Sequence, residues 1–148
     1  RWQKSADAPS ATVRPSTLGT LPAESCPELD LAAFGVNRGL WLDALAADSA
    51  VVVKDNGFGM LRSGRNAAYL GPITAATTET AAALVKALLS DLQGPVYWDI
   101  PAPNSAAAEL ARAYGFEPVR DLTRMWTGRH LLNSELQYQF ALSDPGTG

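Results

Sequence analysis

The chain has 148 residues, 47% of them hydrophobic and 18% charged, with a net charge of −3. These totals describe one folded domain with a sizeable core rather than a disordered chain, and the acidic balance argues against nucleic acid as the main partner. No uninterrupted apolar run approaches the roughly 20 residues of a membrane span, and one cysteine (Cys26) with one histidine (His130) leaves neither an internal disulfide nor a zinc-ligand spacing. The opening residues lack the charged-then-apolar layout of a signal peptide, so the expectation is a cytoplasmic α/β domain.

Residues 1–10, beginning Arg-Trp-Gln-Lys, read as a polar linker, and Thr12-Val13-Arg14 has the composition of a short strand. Between Leu21 and Phe34 the apolar positions Leu29, Ala32 and Ala33 predict a helix stopped by Gly35. Asn37 is placed to cap a second helix whose Leu40, Trp41, Ala44 and Leu45 form one stripe. Three strands follow: 50–54, then 58–61 across the turn Asp55-Asn56-Gly57, then 67–73 across a turn in which Arg62 and Arg65 read as solvated. Gly71-Pro72 lies inside the third run. Proline donates no ladder hydrogen bond, so this end of the strand is predicted to be an edge or a splay.

Ala81, Leu84, Val85, Leu88, Leu89 and Leu92 recur at helical spacing, with Thr77 or Thr78 as N-cap and Gly94-Pro95 as the stop. Residues 96–100 read as a central strand, 104–114 as a helix stopped by Gly115, and 116–126 as one or two strands bent at Pro118. A short helix from Ser134 and a fraying end complete the chain. Two helices followed by β-β-β-α-β-α-β specify an α/β (α+β) fold: a mixed, mostly antiparallel central sheet with helices on both faces.

The run from Asn104 through Ala107, Leu110 and Ala111 to Gly115-Phe116 resembles the Asn-x-x-Ala-x-x-Leu-Tyr-x-x-x-Gly-Phe signature of the GNAT N-acetyltransferase superfamily. Ala111 stands where those enzymes usually carry a general-acid tyrosine. The element order over residues 11–127 resembles the GNAT order, with 1–10 as a linker or the end of a preceding domain and 128–148 as a tail. Residues 32–38, Tyr69-Leu70-Gly71-Pro72, Asp99-Ile100-Pro101 and Arg124-Met125 resemble most the degenerate C-terminal domain of tandem-GNAT proteins. On that likeness the opening Arg-Trp-Gln would be the last strand of the domain before it.

The resemblance implies acetyl-CoA as cofactor. Its diphosphate would sit on backbone N–H groups between the fourth strand and the next helix, where unpaired amides and the helix dipole favour an anion. Aligning helix on helix puts Ala76, Glu79 and Ala81 at the positions of the family's Gln/Arg-x-x-Gly-x-Gly/Ala motif. Glu79 adds a negative charge there, and like charges about 4 Å apart repel by roughly 1–4 kcal/mol at surface-like dielectric. Ile73, Thr74 and Asn104 are the implied cofactor contacts, although an Asn opening a helix is first an N-cap. A positioned general acid contributes typically 10²- to 10⁴-fold. Ala111 cannot supply it, and Tyr114 is a substitute candidate whose ordinary role would be packing under the Gly115 turn.

Asp99 closes the apolar fifth strand, where GNAT sheets splay open and the acetyl group sits. It is a candidate general base or substrate contact, with Tyr97 and Arg124 as further substrate-binding candidates; the alternative for Asp99 is a turn residue or an ion pair with Arg124. His130, in a polar tail beyond the last strand, has a side chain able to titrate near neutrality but reads as a solvated loop histidine, and Cys26 lacks an evident activating partner. Three functions are compatible with these features. One is a non-catalytic half of a tandem acetyltransferase that supports acceptor binding by a preceding GNAT domain, or dimerisation. The second is a competent acyltransferase for a small-molecule amine with an atypical CoA site. The third is a small-molecule binding module.

Overall fold

The computed structural model describes residues 1–5, 27–123, 125 and 134–146. In chain order these form β1 (Trp2–Lys4), α1 (Pro27–Phe34), α2 (Gly39–Ala46), β2 (Ser49–Lys54), β3 (Gly57–Arg62), β4 (Ala68–Ala75), α3 (Thr78–Leu89), β5 (Val96–Trp98), α4 (Ser105–Ala113), β6 (Glu117–Pro118), a 3-10 turn (Leu136–Tyr138) and β7 (Gln139–Ala141). The strands share one sheet in the order β2-β3-β4-β5-β1-β6, with β7 paired to β4 off that path. Only β4 and β5 run parallel; every other pair is antiparallel.

The amphipathic stripe of α3 explains why the core sits where it does. Ala81, Leu84, Val85 and Leu88 are buried against Leu70, Ile73, Val96 and Trp98 of the sheet, joined by Ala107 and Ala111 of α4. Each fully buried large aliphatic or aromatic side chain contributes about 1.5–3 kcal/mol of transfer free energy. Trp98 meets Phe116 edge-on at 5.2 Å between ring centroids. A smaller cluster of Leu42, Ala46, Phe58 and Met60 holds α2 to β3, with Val51 and Val53 of β2 packed against it. Both layers that the patterning predicts are therefore present.

Local signals act largely as the residue types dictate. Thr77 caps α3 by accepting from the Thr80 N–H at 3.2 Å. Gly115 stops α4 at φ 79, a conformation that glycine adopts without a Cβ penalty. For α2 the N-cap backbone is Arg38 rather than Asn37, whose Oδ1 instead accepts from the Gly39 N–H at 2.9 Å. Beyond β6, residues 119–123 form no strand, so of the one or two strands expected in 116–126 the described residues hold one.

Two segments depart from their expected roles. The opening residues are not wholly linker: Trp2–Lys4 lies inside the sheet, pairing with both β5 and β6. Nor does the chain's last part simply trail off. Gln139, Phe140 and Ala141 are completely or almost completely buried. The alternation Leu136, Tyr138, Phe140, Leu142 is the strand signal here, and its two intervening glutamines conceal it. The short helix expected from Ser134 is one 3-10 turn.

Candidate functional site

Strand β4 changes partner at Gly71-Pro72. Ala68, Leu70 and Tyr69 pair with β5, whereas Ile73 and Thr74 pair with β7 through Ala141 and Gln139. The strand does splay away from β5, as the proline requires, but the wedge so opened is filled by β7. The filling is closely bonded. The Trp98 indole N–H donates to the Phe140 carbonyl at 2.8 Å, and the Leu142 N–H to the Asp99 carbonyl at 2.8 Å. Gly71 carries φ 140, and a Cβ built on it would come within 2.1 Å of the Leu142 carbonyl oxygen. Only glycine lets the crossing segment lie this close. Ile73 and Thr74, the strand residues implied as cofactor contacts, thus face this chain's own backbone.

Asn104 locks the same wedge from the side of α4. Its Oδ1 accepts from the Ala107 N–H at 3.0 Å, which caps the helix. Its amide nitrogen donates to the carbonyls of Leu136, Gln137 and Gln139 at 3.2, 3.2 and 3.0 Å. All of its polar atoms are engaged, and the side chain belongs to the β7 attachment. Between the amino ends of α3 and α4 lies a cavity of about 410 Å³ lined by Ala76, Thr77, Thr78, Asn104 and Ser105 among others. At its α3 side the Ala76 N–H is already given to the Asn56 carbonyl at 2.9 Å, and Ala81 points into the core. Glu79 is fully exposed, and its carboxyl is held below the usual range by its own backbone N–H and by Thr77. It therefore stays ionised at the helix end where an anion would dock.

Residues present at the wedge and at the α3 amino end do not fit acetyl-CoA as the family holds it: the slot contains protein, and the dipole end carries a carboxylate. The general-acid position is equally filled. Ala111 has no exposed surface and packs within the main core. The Tyr114 hydroxyl donates to the Ala82 carbonyl of α3 at 3.2 Å, tying the two helices together.

Asp99 sits at the end of β5 and is almost completely buried. Its two carboxylate oxygens accept from Nε and Nη2 of Arg1 at 2.9 and 2.8 Å, a planar fork on a planar acceptor. Asp99 in turn holds the guanidinium charged, raising its pKa above the ordinary arginine value by hydrogen bonding against the opposing cost of burial. Tyr97 and Tyr69, register partners on β5 and β4, lie against the guanidinium at 4.5 and 5.4 Å from carbon to ring centroid. Arg62 lies over Tyr69 at 5.3 Å and donates to the Ser143 carbonyl and to Asp144. It is half-buried rather than solvated, and burial lowers its pKa. The partner of Asp99 is thus Arg1, from the far end of the sequence; Arg124, together with His130, Cys26 and Trp126, lies outside the described residues.

A second buried pair ties α1 to the sheet. Arg38 forks onto Asp30 at 3.0 and 2.5 Å, and Asp30 accepts from the Thr74 hydroxyl at 3.1 Å. Nothing in local sequence spacing links Thr74 with Asp30, so this network and the Arg1 site were not readable in advance. Among the described residues no group of acidic, histidine and cysteine side chains could hold a metal ion, and no helix is long and apolar enough to cross a membrane.

A mostly antiparallel sheet with one parallel pair splayed at β4–β5, and helices packed on either face, defines the acetyltransferase class of α/β domains. The sequence matches the family model for the acetyltransferase (GNAT) domain over residues 26–141, more than half of the chain, and the chain belongs to that family. The match runs past the expected boundary at 127 and takes in β7. A crystal structure from Pyrococcus horikoshii, titled "putative acetyltransferase", superposes with a TM-score of 0.73 at 18% identity. That likeness, which covers 99% of this chain and 50% of that one, shows the shared fold; this chain spans half the length of that protein. No curated protein matches the sequence. GNAT enzymes as a family use acetyl-CoA.

Proposed function

We propose that this GNAT domain transfers no acetyl group by itself and serves as the non-catalytic half of a tandem acetyltransferase, shaping the acceptor site of a catalytic GNAT domain or joining a dimer. The observation that carries this reading is β7 in the β4–β5 wedge, hydrogen-bonded on both sides and accommodated by Gly71. Ala111 in the core and an ionised Glu79 at the amino end of α3 support it independently. Losing one chemical element could be variation; here the cofactor slot, the anion site and the general acid are all altered. The half-length match to the Pyrococcus protein is consistent with a two-domain parent.

The cavity between the amino ends of α3 and α4 favours one other reading, in which an acyl-CoA still docks by its diphosphate and the domain is a competent acyltransferase with an atypical site. A titration with acetyl-CoA by calorimetry and melting temperature separates the two. A ligand at a hundred times its Kd stabilises the native state by about 2.7 kcal/mol. The expected result is no heat and no shift at millimolar ligand. Micromolar binding would sink the non-catalytic reading and put the acyltransferase in its place.

A further inference from the structure

We propose that Asp99, Tyr97 and Tyr69 form a receptor for a guanidinium group, and that the side chain of Arg1 is its resident ligand. Each wall is supplied by the rigid centre of the sheet. Tyr69 and Tyr97 stand opposite one another on the β4–β5 ladder, and Asp99, two residues after Tyr97, projects from the same face. The Asp99 side chain is 2% exposed and that of Arg1 9%. Both carboxylate oxygens are used, at 2.9 and 2.8 Å, and both rings contact the cation. A carboxylate that accepts two parallel N–H bonds, flanked by aromatic faces, selects a planar fork over an ammonium point charge.

The strand that carries the occupant is held separately by its backbone: β1 pairs with β5 and β6, and the Val119 N–H donates to the Arg1 carbonyl at 2.9 Å. Removing the arginine side chain therefore empties the receptor and leaves these backbone bonds available. β1 is three residues long, with Trp2 and Gln3 half-buried and Lys4 exposed. Arg1 and Asp99 also line a cavity of about 610 Å³ that reaches Arg112, Arg120 and Leu122, so the receptor is reachable from outside once the arginine side chain is gone. An alkylguanidinium, free or as the arginine of an extended segment, is the ligand class. The receptor requires neither acetyl-CoA nor a second domain.

The test uses the full chain carrying Arg1→Ala, titrated with ethylguanidinium and, as a neutral match, ethylurea. Ethylguanidinium is expected to raise the melting temperature of Arg1→Ala but not that of the wild type, whose site is filled; ethylurea should raise neither. Adding Asp99→Asn should weaken the ethylguanidinium response about tenfold or more, as for a lost charge-assisted bond. Should Arg1→Ala not fold, recovery of its circular dichroism by ethylguanidinium and not ethylurea is the readout. Equal responses to both compounds, a response that survives Asp99→Asn, or no response at all overturns the proposal.

Discussion

Single positions decide what chemistry this fold can still do. At position 111 the family tyrosine would have to enter a fully buried alanine site within the main core. Overpacking of this kind costs about 1–3 kcal/mol. Ala111→Tyr is therefore expected to lower the urea midpoint while thiol release from acetyl-CoA stays at the uncatalysed rate. Gly71 makes the opposite point, since it exists to leave space. Gly71→Ala would set a Cβ against the Leu142 carbonyl and strain a positive φ, a loss of about 2–4 kcal/mol by chemical denaturation. Glu79 has a depressed pKa in the folded state, so its contribution is present above the ordinary glutamate range and is lost as pH falls through the folded value. Glu79→Gln should accordingly be less stable than wild type at pH 7, with the gap closing below pH about 4. Ala111 was visible as a departure from the motif; the space Gly71 preserves was not, because the carbonyl that needs it comes from residue 142.

At the scale of elements, legibility follows the range of the interactions that form them. Helices α3 and α4 are readable because their caps, stripes and stops lie within a dozen residues. Thr77→Ala removes one local cap and should cost about 1 kcal/mol. Asn104→Ala should cost more, about 2–3 kcal/mol, since it also strips a donor from three buried-side carbonyls of the 136–139 segment. Hydrogen exchange separates the roles. Thr77→Ala should speed exchange in the first turn of α3, whereas Asn104→Ala should also expose the amides of 139–142. Equal protection of 139–142 in both variants would mean that Asn104 is a cap and nothing more. Strands β1 and β7 were harder to read because each is three residues long and polar at one or more positions. Such runs become strands only when neighbouring edges offer unpaired N–H and C=O groups.

Across the whole molecule, the two ends of the described chain both enter the sheet: β1 between β5 and β6, and β7 beside β4. Residues more than 90 apart are joined by the Arg1–Asp99 pair, and the Gln139 side chain reaches the Ala33 carbonyl of α1. Unfolding should therefore be one cooperative transition, with far-ultraviolet circular dichroism and tryptophan fluorescence superimposing in urea; separate midpoints would show that β1 or β7 detaches before the core. The sequence by itself determined the class of fold, the two core helices, the splay at Gly71-Pro72 and the absence of the family's tyrosine. Each of these depends on residues close in the chain, through periodicity, capping and backbone restriction. Only the tertiary structure decided that the splay is filled, that Asp99 answers to Arg1, and that Asn104 serves β7. Those outcomes depend on which distant segment brings its hydrogen-bonding groups and charge to a given edge, and burial rewards that meeting without leaving any fixed spacing in the sequence.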